Sequence, residues 1–479
     1  YDISAQFNPE EKSIRAHETV TFKNNSGQSL GEIYFRVYPN HKYSGEEKKE
    51  LYEYATYFKV NPYPNGFDPG AFQIKAIQMT QPRPEALSYA FEGDDQTLMR
   101  VALPQPLGNG ESITMEIEFS LKIPHRIGRY GWHKNTFALN RWYPLLGVFD
   151  KTGWHKDPDY LLHMPYMSEA AFYRLKLNVP EDFIVALGCD EVNEERMSDG
   201  RKLISASSSQ PLRELTLALS KDYHVYELQE NGIKIQSFYF QKDKEYGRKA
   251  AEFAADLIRF YSKHFGSYTY KQFSIAPVYL GYGGSQNAGI IFIDLRAYEM
   301  PKFLIRYFDF LISHETGHQW WYSMVGTDEY RQVWLDEGFN TYWTQRYLEN
   351  KYGTDAKIVV MPRWLEYFIP DPTFRRIRDY QYLYFARRGL DQSIVTELPS
   401  FYEPSLIFTM AYGKGSAVVR MFAAYVGEEK FSKIMRTYFQ RYQYQNATIG
   451  DFIKVCEEVT GEDLKWFFDE WLYGTGLCD

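Results

Sequence analysis

Two hydrophobic periods divide the chain. Up to about residue 240, apolar and polar positions alternate in short runs: TVTFKNN at 19–25, EIYFRVYPN at 32–40, SITMEIEFSLKI at 112–123, FYRLKLNVP at 172–180 and IKIQSFYF at 233–240. Alternation sends successive side chains to opposite faces of a strand, and β-branched and aromatic residues suit that half-buried surface. Turn formers such as NNSG, PNG and GNG separate the runs, so the pattern predicts an N-terminal β-sandwich-like domain. From about 242 the period lengthens. In KEYGRKAAEFAADLIRFYSKHFG, Ala250, Phe253, Ala254, Leu257 and Tyr261 fall on one face of a helix that stops at Gly266. FSIAPVYL at 273–280 and IIFID at 290–294 return to strand character, with a glycine turn between them. The remainder reads as mainly helical, including a helix opened by Thr448 with Asp451 three residues on. The expectation is a multidomain α and β chain, β-rich over 1–241 and mainly helical over 242–479.

Composition narrows the class. The 479 residues exceed what one hydrophobic core usually fills. Apolar residues make up 44% and charged residues 24%, and no apolar run approaches 18 residues, so no membrane span is predicted. A net charge of -8 offers no basic footprint for nucleic acid. Cys189, Cys456 and Cys478 are far apart and odd in number, which makes neither a disulfide framework nor a metal cluster. The first residue is Tyr1 rather than methionine, which suggests a trimmed leader and leaves the compartment open between cytoplasm and exterior. The oligomeric state is equally open.

The stretch GYGGSQNAGIIFID at 281–294 invites a phosphate-binding reading, but the G-x-G-x-x-G spacing needs glycine at 286, where Gln286 stands, and no G-K-[ST] follows. What remains is a backbone with little side chain, running into an extended segment against which another chain has room to lie.

Twenty residues further on is FLISHETGHQWWYSMVG. His314 and His318 are four apart, so on a helix they share one face and two imidazoles converge on one ion. Tyr307, Leu311, His314 and His318 continue one stripe, which turns the pair inward, and Glu315 lies beside that face. Catalytic zinc takes three protein ligands and leaves a fourth position for water. In VWLDEGFNTYWTQRYLE, Asp336 and Glu337 begin a second helical pattern, where acids complement the helix dipole. Glu337 is 19 residues beyond His318, and two antiparallel helices would bring its carboxylate to the histidines as third ligand.

This order, H-E-x-x-H, eighteen intervening residues, then E-G-F, resembles the zinc aminopeptidases typified by aminopeptidase N, gluzincins with a thermolysin-like catalytic domain. MAYGKGSAVVRMF at 410–422 is similar to the family's Y-x-K-G segment, the N-terminal 40 residues resemble the β-rich domain of bacterial members, and WFFDEWLYGTG at 466–476 resembles the end of their catalytic domain. The resemblance implies one zinc ion per chain on His314, His318 and Glu337, Glu315 as general base and acid, Tyr412 as the phenol that stabilises the oxyanion, and peptides as substrates. Two departures concern the zinc surroundings: Thr344 stands where the family often has an acid, and Asp336 where it usually has Asn, so the residues supporting the ligand histidines are not identifiable from sequence. Larger relatives close the cleft with a C-terminal helical domain, so a more open cleft is expected here.

The family's G-x-M-E-N motif, which lies along the cleft and binds the substrate's free amine, aligns with the glycine stretch. Gly283 matches its first glycine, Asn287 its asparagine, Gly284 lies between, and the amine-binding glutamate falls on Gln286. A carboxylate 4 Å from an ammonium gains roughly 4 kcal/mol at an effective dielectric near 20, against about 1 kcal/mol for a neutral hydrogen bond. Gln286 therefore orients the amine with acids from elsewhere, Asp150 being the nearest candidate, or marks relaxed or endopeptidase-like cleavage, or is an ordinary turn residue. A non-catalytic binding scaffold is the alternative from another class.

Overall fold

The computed structural model describes residues 1–475 except 164, 166, 363 and 365–372, with only the backbone of residue 54. Cys478 lies outside the described residues. The chain gathers into two compact units, the first Tyr1–Leu162, Ser168–Lys244 and Tyr270–Leu295, the second His163–Met167, Glu245–Thr269 and Arg296–Asp479.

The first unit is built on an eight-stranded sheet, whose longest pairing joins Ser13–Lys23 to Ser112–Lys122 in antiparallel register from Ser13 opposite Lys122 to Lys23 opposite Ser112. Alternation buries Ile14, Ala16 and Val20 from one strand and Ile113, Met115, Ile117, Phe119 and Leu121 from the other. Phe7 of this sheet meets Phe137 and Phe183 edge-on at 4.8 and 5.3 Å, which ties it to the four-stranded sheet containing Thr136–Leu139. This is the sandwich expected. The run 32–40 departs from expectation: the strand Leu30–Arg36 ends early and Tyr38–Asn40 turns into a 3-10 helix, because Pro39 fixes its φ and has no N–H for the ladder.

A five-stranded sheet completes the unit in the order Tyr223–Glu230, Ile233–Phe240, Gln272–Val278, Ile290–Asp294, Gly284–Asn287. Gln272–Val278 runs parallel to both its neighbours. Parallel strands need a long crossover, and the 21-residue helix Lys244–His264 supplies it in the chain. The expected boundary at 241/242 followed the change of period; the unit division keeps Tyr270–Leu295 with the first unit, since its strands pair alongside Ile233–Phe240.

The second unit is mainly helical, with Lys244–His264, Ile305–Gly317, Val333–Tyr352, Phe374–Ala386, Gly415–Val426, Glu428–Tyr442 and Ile449–Thr460 as its longer helices. Its core is aromatic: Trp343 stacks on Phe431 at 5.8 Å and meets Phe265 edge-on at 4.6 Å, and Phe339 meets Phe452 at 4.8 Å. Thr448 and Asp451 form the capping box that their spacing predicts. Among the described residues, no helix is long and apolar enough to cross a membrane.

Candidate active site

Every group described next, up to Arg378, belongs to the second unit. The histidine helix Ile305–Gly317 holds His314 and Glu315 in its last turn, with His318 at its C-cap. The helix Val333–Tyr352 carries Asp336 and Glu337 at its start. All of these side chains are buried. The Nε2 atoms of His314 and His318 lie 3.3 Å apart, and Glu337 Oε2 is 3.2 Å from the first and 3.3 Å from the second. Three donors held by one tetrahedral ion at zinc distances of about 2.0–2.1 Å stand about 3.3 Å from one another. The donor triangle therefore fits zinc in size as well as in type, with two imidazoles, one carboxylate and no fourth protein donor in the group.

Neighbouring groups turn the ligands toward that point. His318 Nδ1 donates to Asp336 Oδ1 at 2.5 Å and faces the Trp321 carbonyl at 3.0 Å, which directs Nε2 to the triangle. Burial pushes Asp336 up to about 6 even with His318 beside it. Burial acts against charge on His318, but Asp336 and Glu337 hold it well above its usual range. Glu337 is held well below the usual carboxylate range, because the two histidines outweigh its burial. A buried cation among these acids answers the same field.

Asn340, one turn after Glu337, donates from Nδ2 to the His314 carbonyl at 2.6 Å, and the Tyr261 hydroxyl donates to its Oδ1 at 3.2 Å. This contact requires Gly317, where an added Cβ would meet Asn340 Oδ1 at 2.0 Å. Thr344 does not reach the histidines; its hydroxyl lies 3.5 Å from that of Tyr261. Asp336 and Asn340 are thus the supporting residues that sequence reading did not identify. Asn340 had a signal, its i+3 spacing from Glu337. Asp336 had none beyond adjacency, and its place in the first helical turn read equally well as a dipole contact.

Tyr412 sits in a π-helical turn, Phe408–Lys414, a form often found at functional sites. Its hydroxyl donates to Glu337 Oε1 at 2.5 Å, and its ring lies 5.9 Å from that of His314. Burial and the Glu337 charge keep its proton on well above the usual tyrosine range. The turn is anchored by the buried ammonium of Lys414, which reaches Asp391 at 3.1 Å and the carbonyls of Gln392 and Gly474 at 3.1 and 3.0 Å. Two groups beside Tyr412 had no motif to announce them. His163 Nε2 is 3.4 Å from its hydroxyl and 3.9 Å from Glu337 Oε1. The Arg378 guanidinium lies 5.4 Å from the centre of its ring.

The remaining predicted residues lie in the first unit. Gly283, Gly284, Gln286 and Asn287 belong to the glycine turn and the edge strand Gly284–Asn287, with Gln286 buried opposite Ile291. Asn287 is committed within the unit: its Oδ1 accepts from Asn140 Nδ2 at 2.6 Å and from Thr216 at 3.3 Å. The left-handed glycines of the stretch are Gly281 and Gly289. The first is held by Asp294, and an added Cβ on the second would meet the Gly188 carbonyl oxygen at 2.2 Å. Asp150 is bonded to His155 Nε2 at 2.9 Å and to Thr152 at 2.6 Å, which together outweigh its burial and lower its pKa.

Residues 249–471 match the peptidase family M1 domain. The chain is 25% identical over 312 residues to the alanine/arginine aminopeptidase of Saccharomyces cerevisiae, covering 62% of this chain and 34% of that protein. It is 26% identical over 249 residues to the leucyl aminopeptidase of Saccharolobus solfataricus, covering 48% and 28%. The chain thus spans about a third of the curated relatives it matches. The M1 zinc metallopeptidase of Deinococcus radiodurans superposes over 100% of this chain and 93% of its own with a TM-score of 0.64 at 15% identity. A variant of an M1 zinc metallopeptidase from the same organism, with a Tyr-Ser-Ala substrate bound, superposes over 100% of this chain and 94% of its own with a TM-score of 0.66 at 14% identity. Those two likenesses concern the fold. With the H-E-x-x-H histidines and Glu337 gathered in one triangle inside the matched segment, residues 249–471 form a peptidase family M1 domain, and the chain around it shares the fold of the two-domain M1 zinc metallopeptidases.

Proposed function

We propose that the protein is a zinc-dependent aminopeptidase that removes N-terminal residues from peptides, with residues 242–479 as its catalytic domain. The observation that carries this reading is the donor triangle of His314, His318 and Glu337 with Tyr412 bonded to one of its members. Held by those three residues, a zinc ion supplies a Lewis acid and brings the pKa of a water molecule toward about 7.

The chain's own groups account for the proton and charge movements. Glu315 is the residue after His314, turned about 100° from it on the helix, so it flanks the triangle without joining it. It takes the proton of the attacking water and returns it to the leaving amine as the peptide C–N bond breaks. Tyr412, still protonated at neutral pH, turns its hydroxyl from Glu337 to the oxyanion of the tetrahedral intermediate. His163 lies against that hydroxyl and limits its swing.

The restriction to N-termini is assigned to the edge strand at Gly283, Gly284, Gln286 and Asn287, whose backbone takes the peptide by strand addition. Amino-terminal chemistry is supported by the relatives, named as aminopeptidases, and by neighbouring structures bound to Tyr-Ser-Ala and to L-arginine. Gln286 favours a second reading, relaxed or endopeptidase-like cleavage, because a neutral amide holds an ammonium less firmly than a carboxylate does. Metal analysis with hydrolysis of aminoacyl-arylamides and N-blocked peptides separates the two. Stoichiometric zinc, turnover of free N-termini only, and loss of turnover in Glu315→Gln are expected; cleavage of N-blocked peptides alone rules out the aminopeptidase.

A further inference from the structure

The site is rich in acids, and among its described residues Arg378 is a cation with no acid paired to it. Arg378 lies on the helix Phe374–Ala386, half-buried, with its guanidinium 5.4 Å from the centre of the Tyr412 ring. Its hydrogen bond is to a neutral group, from Nη1 to Gln381 Oε1 at 3.2 Å. Two neighbouring cations are matched: Arg375 pairs with Glu349 at 3.5 Å and Arg420 with Asp379 at 2.8 Å. Among the described residues, no carboxylate lies within ion-pair distance of Arg378. Its helix packs on the turn that carries Tyr412: a Cβ added to Gly413 would lie 3.3 Å from the Arg378 carbonyl oxygen.

An arginine beside a reacting group, with its planar fork directed to no acid among the described residues, suits a planar anion supplied from outside. The groups of that shape on a peptide are carboxylates. We propose that Arg378 is a specificity-determining residue that binds a carboxylate of the substrate, either the free C-terminus of a short peptide or an acidic side chain. The inference rests on the peptidase reading above and adds to it a preference among peptides.

The test compares wild type, Arg378→Gln and Arg378→Lys on four substrates: Leu-Ala, Leu-Ala amide, Leu-Asp amide and Leu-Asn amide. In Arg378→Gln, the ratio of KM for Leu-Ala to that for its amide is expected to rise about tenfold or more if the C-terminus is the anion. The ratio for the Leu-Asp and Leu-Asn amides rises instead if a side chain is. Arg378→Lys, keeping the charge but not the fork, restores part of the discrimination. A fall by one common factor on all four substrates means that Arg378 only supports Tyr412, and no change means that it does neither; both overturn the proposal. Absence of any turnover by the zinc-loaded wild type refutes the peptidase reading. In that case calorimetric binding of Leu-Ala against Leu-Ala amide, to wild type and Arg378→Gln, decides the carboxylate question by itself.

Discussion

A Cβ placed on Gly338 would lie 3.3 Å from the Cα of Gly415 and 3.1 Å from the carbonyl oxygen of Ala411. This near-contact of two glycines lets the helix bearing Glu337 approach the turn bearing Tyr412 closely enough for their hydrogen bond. Gly338→Val should therefore cost about 1–3 kcal/mol of stability through overpacking. It should also lower kcat, since Tyr412 is pushed from its place while His314 and His318 are not. Thermal unfolding, zinc content and kcat measured on one preparation check this; full kcat in a destabilised protein would contradict it.

Asp336 binds Nδ1 of His318 and so aims its Nε2. Asp336→Ala should weaken zinc binding by about 10–100-fold, and Asn340→Ala, which frees the His314 carbonyl, should weaken it in the same direction. Competition with a chromogenic chelator reads both. Gly317→Ala should behave like Asn340→Ala, since its methyl group would displace the Asn340 amide.

Tyr412→Phe removes one hydroxyl and leaves the ring packing in place. A loss of about 100–1,000-fold in kcat is expected, with zinc content retained, as for other oxyanion donors. A change confined to KM would assign Tyr412 to substrate binding rather than to the developing charge.

His41, buried in the first unit, has Asp159 Oδ2 3.1 Å from its Nδ1 and Glu47 Oε1 3.1 Å from its Nε2. Burial opposes its charge, but the two acids hold its pKa above the usual histidine value. A raised folded-state pKa stabilises fully below the unfolded value of about 6.5 and fades as pH rises through the folded one. Urea unfolding of wild type and His41→Asn should differ most near pH 5.5 and least near pH 9. An equal difference at both ends would mean that packing, not charge, is what His41 contributes.

Gln286→Glu tests the edge strand. If the side chain faces the substrate's amine, KM for free N-termini should fall by up to about 100-fold, the gain of a charged over a neutral partner. Unchanged KM and kcat would remove Gln286 from the site.

Much of this was legible along the chain. Period-2 alternation placed the sandwich strands, and the period-3.6 stripe through Leu311, His314 and His318 placed two ligands on one helix face, because both patterns are consequences of backbone geometry within a single element. The cap at Thr448 was legible for the same reason. Glu337 was reachable from the resemblance and from the expectation of two antiparallel helices.

The sequence by itself therefore determined most of the elements, and the candidate metal donors and their order. Only the tertiary structure decided what surrounds those donors. Asp336 supports His318 because the loop 318–332 returns the chain to that spot, and Arg378 reaches the Tyr412 ring from 34 residues away. Gly317 and Gly338 are glycines because of neighbours on other helices, Asn340 in one case and Gly415 in the other. Such relations depend on how packed elements share space, and no period of a single element records them.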